Sequence, residues 1–123
     1  GMMPAFNLKT FKAVQSIAGE KSEFQSWFDA LEYMKSEISK IDFDICIIGC
    51  GAYGFPLAAH VKRMGKKALH FGGVTQLFFG IRGKRWESDP YFPFTNFMNE
   101  YWIRPNENET PGNAGIVEGG CYW

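Results

Sequence analysis

The stretch Asp44-Ile-Cys-Ile-Ile-Gly-Cys-Gly-Ala-Tyr-Gly-Phe-Pro56 decides how this chain is read, because an apolar β-branched run leads directly into Gly49-x-Gly51-x-x-Gly54 and a helix opening. Strand, glycine turn and helix N-terminus in that order form a nucleotide-phosphate loop. One glycine makes the tight turn, one lets a phosphate approach the backbone, and one lets helix and strand pack. Pro56 suits the first helical turn, where its missing N–H would have no intrahelical acceptor in any case. The free N–H groups of that turn can hold an anion. The same glycines also admit a plainer role, tight strand-to-helix packing with no ligand.

Dinucleotide-binding loops place an Asp or Glu about 20 residues beyond the first glycine, at the end of the next strand, to hold ribose hydroxyls. Here that place reads Ala68-Leu-His-Phe-Gly-Gly, with His70 where the acid would stand. Hydride transfer with a nicotinamide cofactor is disfavoured on that mismatch, and no cofactor is assigned with certainty.

Outward from the loop, the expected elements follow in order. Asn7 to Ala18 reads as a strand with imperfect alternation of Leu8, Phe11, Val14 and Ile17. Ser22-Glu-Phe-Gln25 reads as a capping box, and Phe24, Trp27, Phe28, Leu31, Met34 and Ile38 then recur at three- and four-residue steps, predicting an amphipathic helix to about Lys40. A strand Phe43 to Ile48, a helix Phe55 to Met64 closed by Gly65, and a short strand Ala68 to Phe71 complete the series. The fold expected is α/β, a small Rossmann-like β-α-β-α-β parallel sheet in a single domain over residues 2–123, with an aromatic-rich, loop-rich C-terminal extension. Gly1 before Met2 has the look of an expression remnant. Parallel sheets are normally covered on both faces, so three strands call for cover from the C-terminal third or from a second copy. A homo-oligomer is the expected partner arrangement.

Past the third strand, Phe71-Gly72-Gly73-Val74-Thr75-Gln76 reads as a second glycine turn opening a short helix. Ligands of open parallel sheets bind at the carboxyl ends of the strands, where both turns would lie. Arg82-Gly-Lys84-Arg85-Trp86 then offers three cations and an indole, a composition fit for phosphate contacts and stacking as well as for a solvated basic turn. The expected ligand-facing set is thus Gly49, Gly51, Ala52, Tyr53, Gly54, Gly72, Gly73, Thr75, Gln76, Arg82, Lys84, Arg85 and Trp86. Further on, a short helical segment is expected near Asn96 to Trp102 and an exposed loop from Pro105 to Gly112. Tyr122 and Trp123 would be costly to leave in water and are expected to pack back. Glu100, Glu118 and His70 are the candidate catalytic groups by residue type and setting, no catalytic residue being fixed by motif.

Thirteen basic residues balance thirteen acidic ones, so nothing draws the chain as a whole to nucleic acid or an anionic membrane, and any anion site must be local. No run is long and apolar enough to span a bilayer, and no signal-peptide pattern opens the chain, so the cytoplasm is the expected location. Three cysteines are an odd number, and Cys46 and Cys50 are too far apart along a strand to bridge. Cys50, beside a helix N-terminus, stands where a thiol pKa can fall, although a small residue filling a tight turn is the better explanation of it. No metal-ligand spacing involves His60 or His70.

Several longer motifs carry a resemblance: Gly49-Cys-Gly-Ala-Tyr-Gly-Phe-Pro-Leu-Ala, His70-Phe-Gly-Gly, Gln76-Leu-Phe-Phe-Gly-Ile-Arg-Gly-Lys-Arg-Trp86, Asn99-Glu-Tyr-Trp-Ile-Arg-Pro105 and Glu118-Gly-Gly-Cys-Tyr-Trp. Over residues 40–123 the chain resembles the C-terminal part of uncharacterised bacterial proteins encoded with surface-polysaccharide biosynthesis functions. Its layout is also similar to the nucleotide half of glycosyltransferases of the D-type fold. The resemblance implies a nucleotide-sugar or sugar-phosphate ligand on the two glycine turns, neutralised by Lys84 and Arg85. The Asp-x-Glu metal motif of D-type transferases has no counterpart at the loop; the nearest spacing, Asp42 to Asp44, lies at a strand entrance. Two readings stay open: a glycosyltransferase-like protein with Arg82, Lys84 and Arg85 at the leaving diphosphate, and a non-catalytic nucleotide-binding module acting in an oligomer or with a partner.

Overall fold

The computed structural model describes residues 4–123, so the remnant inferred at Gly1 lies outside the described residues. Contacts divide the chain into two compact units. One holds the residues up to Ser16 together with Lys21–Thr75, the other Ile17–Glu20 with Gln76–Trp123.

In the first unit, α1 spans Trp27–Ser39. Ala30, Leu31, Met34 and Ile38 lie along one face and are buried, the stripe that helical periodicity demands. The cap, however, sits one turn later than the Ser22–Gln25 box. Ser26 is the extended N-cap residue, its Oγ accepting from the Asp29 N–H at 3.2 Å and donating to Asp29 Oδ2 at 2.7 Å. Ser26 and Asp29 satisfy a first-turn amide and put a carboxylate at the positive end of the helix. Ser22 Oγ accepts instead from the Phe24 N–H in a local turn.

Two strands follow, β1 (Ile45–Ile48) and β2 (Lys67–His70), paired in parallel with Ile45 opposite Lys67 and Ile48 opposite His70. The connection between them is α2 (Gly54–Arg63). His60, Lys62 and Arg63 occupy its last turn, where cations complement the dipole. Gly65, at φ +79°, turns the chain out of the helix, as a left-handed residue after a helix end does. The core joins α1, β1 and α2 through Leu31, Met34, Ile38, Ile48, Tyr53, Leu57 and Val61, with Met34 and Val61 sealed from solvent.

The strand expected over Asn7 to Ala18 does not form. This segment carries no strand pairing and is tied by Lys9 Nζ to Asp42 O at 2.5 Å and by Ser16 Oγ to Tyr53 Oη at 2.9 Å. Phe11, Ala13 and Val14 still pack on the core. The reason is periodicity: Phe11, Val14 and Ile17 recur every third residue, which cannot keep one strand face apolar. The Val14 N–H accordingly donates to the Met34 thioether, 3.4 Å away, and not to a strand carbonyl. The described residues therefore hold a two-stranded parallel sheet in an α/β unit, and the β-α-β-α-β series is realised from its first helix onward.

The chain passes to the second unit within α3 (Thr75–Phe78). A single parallel bridge joins Ile81 and Ile103, with Arg82 N–H donating to Ile103 O at 2.7 Å. The loop expected at Arg82–Trp86 instead contains a short helix, α4 (Lys84–Glu87). Trp86 is the buried anchor of this unit, edge-on to Phe94 at 5.4 Å between ring centres. The tail helix expected near Asn96–Trp102 is a 3₁₀ turn at Phe94–Phe97, begun by Pro93. Between Pro105 and Gly112 most residues are exposed, but Pro111 is buried and Glu107–Glu109 forms a capped 3₁₀ turn. Tyr122 and Trp123 do pack back, half-buried; Trp123 Nε1 donates to Glu109 O at 3.2 Å. Among the described residues no helix is long and apolar enough to cross a membrane.

The cap assignment predicts that Ser26→Ala costs about 1 kcal/mol in urea unfolding, whereas Ser22→Ala costs less than about 0.5 kcal/mol. The reverse order would restore the earlier cap.

Candidate functional site

The three glycines of the first loop meet three different demands. At Gly49, a Cβ would lie 2.7 Å from Thr75 Cβ and Oγ1 and 2.9 Å from Gly72 O, so the strand end and the second glycine turn touch backbone to backbone. At Gly54, a Cβ would lie 2.0 Å from His70 Cε1, inside the imidazole. Gly51 is different. It sits at φ +54°, where side chains are strained, and nothing lies within 4 Å of the place a Cβ would take.

Gly51 and Ala52 are exposed and begin a 3₁₀ turn, Gly51–Tyr53, that runs straight into α2. First-turn amides have no intrahelical acceptor. Neither Cys50 nor Tyr53 supplies a side-chain cap, and no acidic residue stands in the first turn. The Tyr53 and Gly54 amides donate to Cys50 O and Gly51 O within the turn, so an anion approaching Gly51 meets the exposed Gly51 and Ala52 N–H groups, with no carboxylate in that turn to repel it.

Several other residues of this region are engaged in packing or hydrogen bonds. Tyr53 is buried, its ring stacked on Trp27 at 5.0 Å with 7° between planes. That takes it out of the ligand-facing set. Thr75 Oγ1 donates to Ile48 O at 3.4 Å. His70, a catalytic candidate by sequence, is half-buried with its ring wedged between Gly54 and Phe55; Nδ1 is 3.3 Å from Ile48 O. Gly72, at φ +60° with open space beyond it, begins a 3₁₀ turn through Gly73 that leads to α3, a helix of only four residues. Burial pushes the Cys50 thiol up to about 11, and neighbouring Cys46 adds to the shift. Burial raises the Cys46 thiol as well. The thiol-lowering setting considered for Cys50 is thus not realised, because loss of solvent dominates.

In the second unit, the expected phosphate partners are held by that unit's own groups. Gln76 Nε2 donates to Tyr122 O at 2.9 Å, and Gln76 Oε1 accepts from Trp86 Nε1 at 3.1 Å. Trp86 is core and offers no free face for stacking. Arg82 Nη2 donates to Asn99 O at 3.4 Å, while its buried Nε finds no acceptor. Lys84 Nζ donates to Gly119 O at 3.4 Å. Arg85 donates to the Glu118 carboxylate and, at 3.0 Å, to Tyr122 Oη. Glu100 is exposed in the turn before Trp102. Sequence reasoning missed the Arg85–Glu118 pair; the glycines at 119 and 120 were its only local signal. Among the described residues no group of three or more His, Cys, Asp or Glu side chains is arranged to hold a metal ion.

No family model matches the chain, and no significant match is found among curated proteins or solved structures.

The packing predicts that Gly54→Ala destabilises by about 2 kcal/mol through overpacking and that His70→Ala relieves much of it. A double-mutant cycle should give a coupling of at least about 1 kcal/mol, and additive losses would contradict the contact. For Cys50, the folded chain keeps a proton that the unfolded chain releases between pH 9 and about 11, so this group's contribution to stability falls as pH rises through that window. Maleimide labelling of Cys50 in the native protein should accordingly keep climbing about tenfold per pH unit beyond pH 9. Levelling off near pH 9 would refute the shift.

Proposed function

We propose that this chain is a glycosyltransferase-like protein of Rossmann-like design that binds a nucleotide-sugar or related sugar phosphate, with the diphosphate on the backbone of Gly51 and Ala52 ahead of α2. The observation that carries the reading is the contrast among the glycines. Gly49 and Gly54 face Thr75, Gly72 and His70, whereas Gly51 holds a left-handed backbone against open space. Packing accounts for the first two, and close approach of a ligand accounts for the third. The resemblance over residues 40–123 supplies the ligand class and the setting, bacterial surface-polysaccharide synthesis in the cytoplasm.

A second reading, a non-catalytic binding module acting as a homo-oligomer or with a partner, is favoured by one observation. Gln76, Lys84, Arg85 and Trp86 are engaged within their own unit, which leaves fewer groups to stabilise a departing diphosphate. A further strand from a second copy would also extend the two-stranded sheet toward the three-strand unit that the sequence implies.

The test is a thermal-shift panel of UDP-, GDP-, CMP- and dTDP-sugars with and without manganese, on the wild type and on Gly51→Asp. Aspartate tolerates the left-handed conformation and fills open space, so the variant should fold while its carboxylate repels phosphate. One nucleotide class should stabilise the wild type, by about 2.7 kcal/mol at one hundred times its Kd, and fail to stabilise the variant. Equal stabilisation of both proteins, or none by any ligand, would refute the loop. A manganese requirement would favour the transferase over the binding module.

A further inference from the structure

In the second unit, Glu118, Gly119 and Gly120 follow one another at φ +48°, +70° and +77°, a run that only the two glycines adopt freely. This turn lays two acceptors on two cations of α4. The Glu118 carboxylate takes the Arg85 Nη2 donor, and Gly119 O takes Lys84 Nζ at 3.4 Å. Arg85 is fixed from its other sides as well. Its Nη1 donates to Tyr122 Oη at 3.0 Å, the Tyr122 ring centre lies 5.0 Å from the guanidinium carbon, and its backbone N–H donates to Cys121 O at 2.8 Å. Cys121 Sγ donates to the same Glu118 oxygen at 3.5 Å. The result is a preorganised guanidinium whose anion is supplied by the chain itself.

We propose that Lys84, Arg85 and Tyr122 form a phosphoryl-anion cradle that Glu118 fills until a ligand displaces it. The charges support this. The Glu118 carboxylate pairs with Arg85 alone, Lys84 meets only the neutral Gly119 carbonyl, and the remaining acid of α4, Glu87, is paired with Arg104. A phosphate dianion balances the two cations and has enough oxygens to take the arginine fork, the lysine and the tyrosine hydroxyl together. Access also supports it. The Glu118 side chain is 59% exposed and that of Arg85 36%, and an exposed pair of this kind is weak enough to exchange with solvent anions. The turn is therefore an autoinhibitory contact on an anion site. The inference extends the proposed function to its anion chemistry, and its test separates the two.

Inorganic pyrophosphate is titrated calorimetrically into the whole chain, its Glu118→Gln variant, and that variant carrying Arg85→Gln or Gly51→Asp. Removing the stand-in carboxylate should tighten binding about fivefold, the worth of an exposed ion pair. The gain should vanish with Arg85→Gln and survive Gly51→Asp. Unchanged affinity in Glu118→Gln, or a gain that survives Arg85→Gln, overturns the cradle. A gain lost with Gly51→Asp and kept with Arg85→Gln overturns it too, while leaving the Gly51 loop standing. Glu118→Gly, suited to φ +48°, repeats the titration should the glutamine variant fold poorly.

Discussion

The closeness with which α2 crosses β2 at Gly54 and His70 governs the first unit. A methyl group on Gly54 would overlap the imidazole, so glycine lets the helix begin there without displacing His70. With its start fixed, the three residues before it must close a 3₁₀ turn, and the turn must reverse through a left-handed residue at Gly51. Leu57 and Val61, one and two turns further along α2, then reach the core with Met34 and Ile38 of α1.

The second unit is held by a different means. Its regular structure is short, and its order comes from aromatic anchors and side-chain hydrogen bonds: Trp86 on Phe94 and Gln76, and Arg85 between Tyr122 and Glu118. Such a network is economical where few apolar residues are buried, since each buried polar group finds a partner. Arg82 Nε is the exception. The consequence for function is that cations legible as phosphate ligands in the sequence serve as fasteners in the fold, and any ligand must compete with the chain for them.

Much of the first unit was legible because its signals are local. The apolar steps through Leu31, Met34 and Ile38, the run Ile45–Ile48 and the glycine spacing each report on a few neighbouring residues, and each element lies within a turn or two of its expected place. The segment Asn7–Ala18 reads as a strand from its apolar residues and imperfect alternation, but their three-residue spacing defeats strand pairing. Tyr53 and Trp86 looked like ligand contacts because their neighbours in sequence are glycines and cations; burial, which removes them, depends on residues far along the chain. The anion held by Arg85 was illegible for the same reason, as Glu118 lies 33 positions away.

The most direct test of the open loop is an amide-resolved titration of the ¹⁵N-labelled chain with UDP, GDP, CDP and dTDP, followed by two-dimensional NMR. The account predicts that one nucleoside diphosphate shifts the Gly51 and Ala52 amides more than any others in the first unit, because those exposed backbone donors receive the phosphate. If a bound nucleotide left these two amides unmoved, or if none of the four perturbed them, the turn at Gly51 would be a packing device and the account would be wrong.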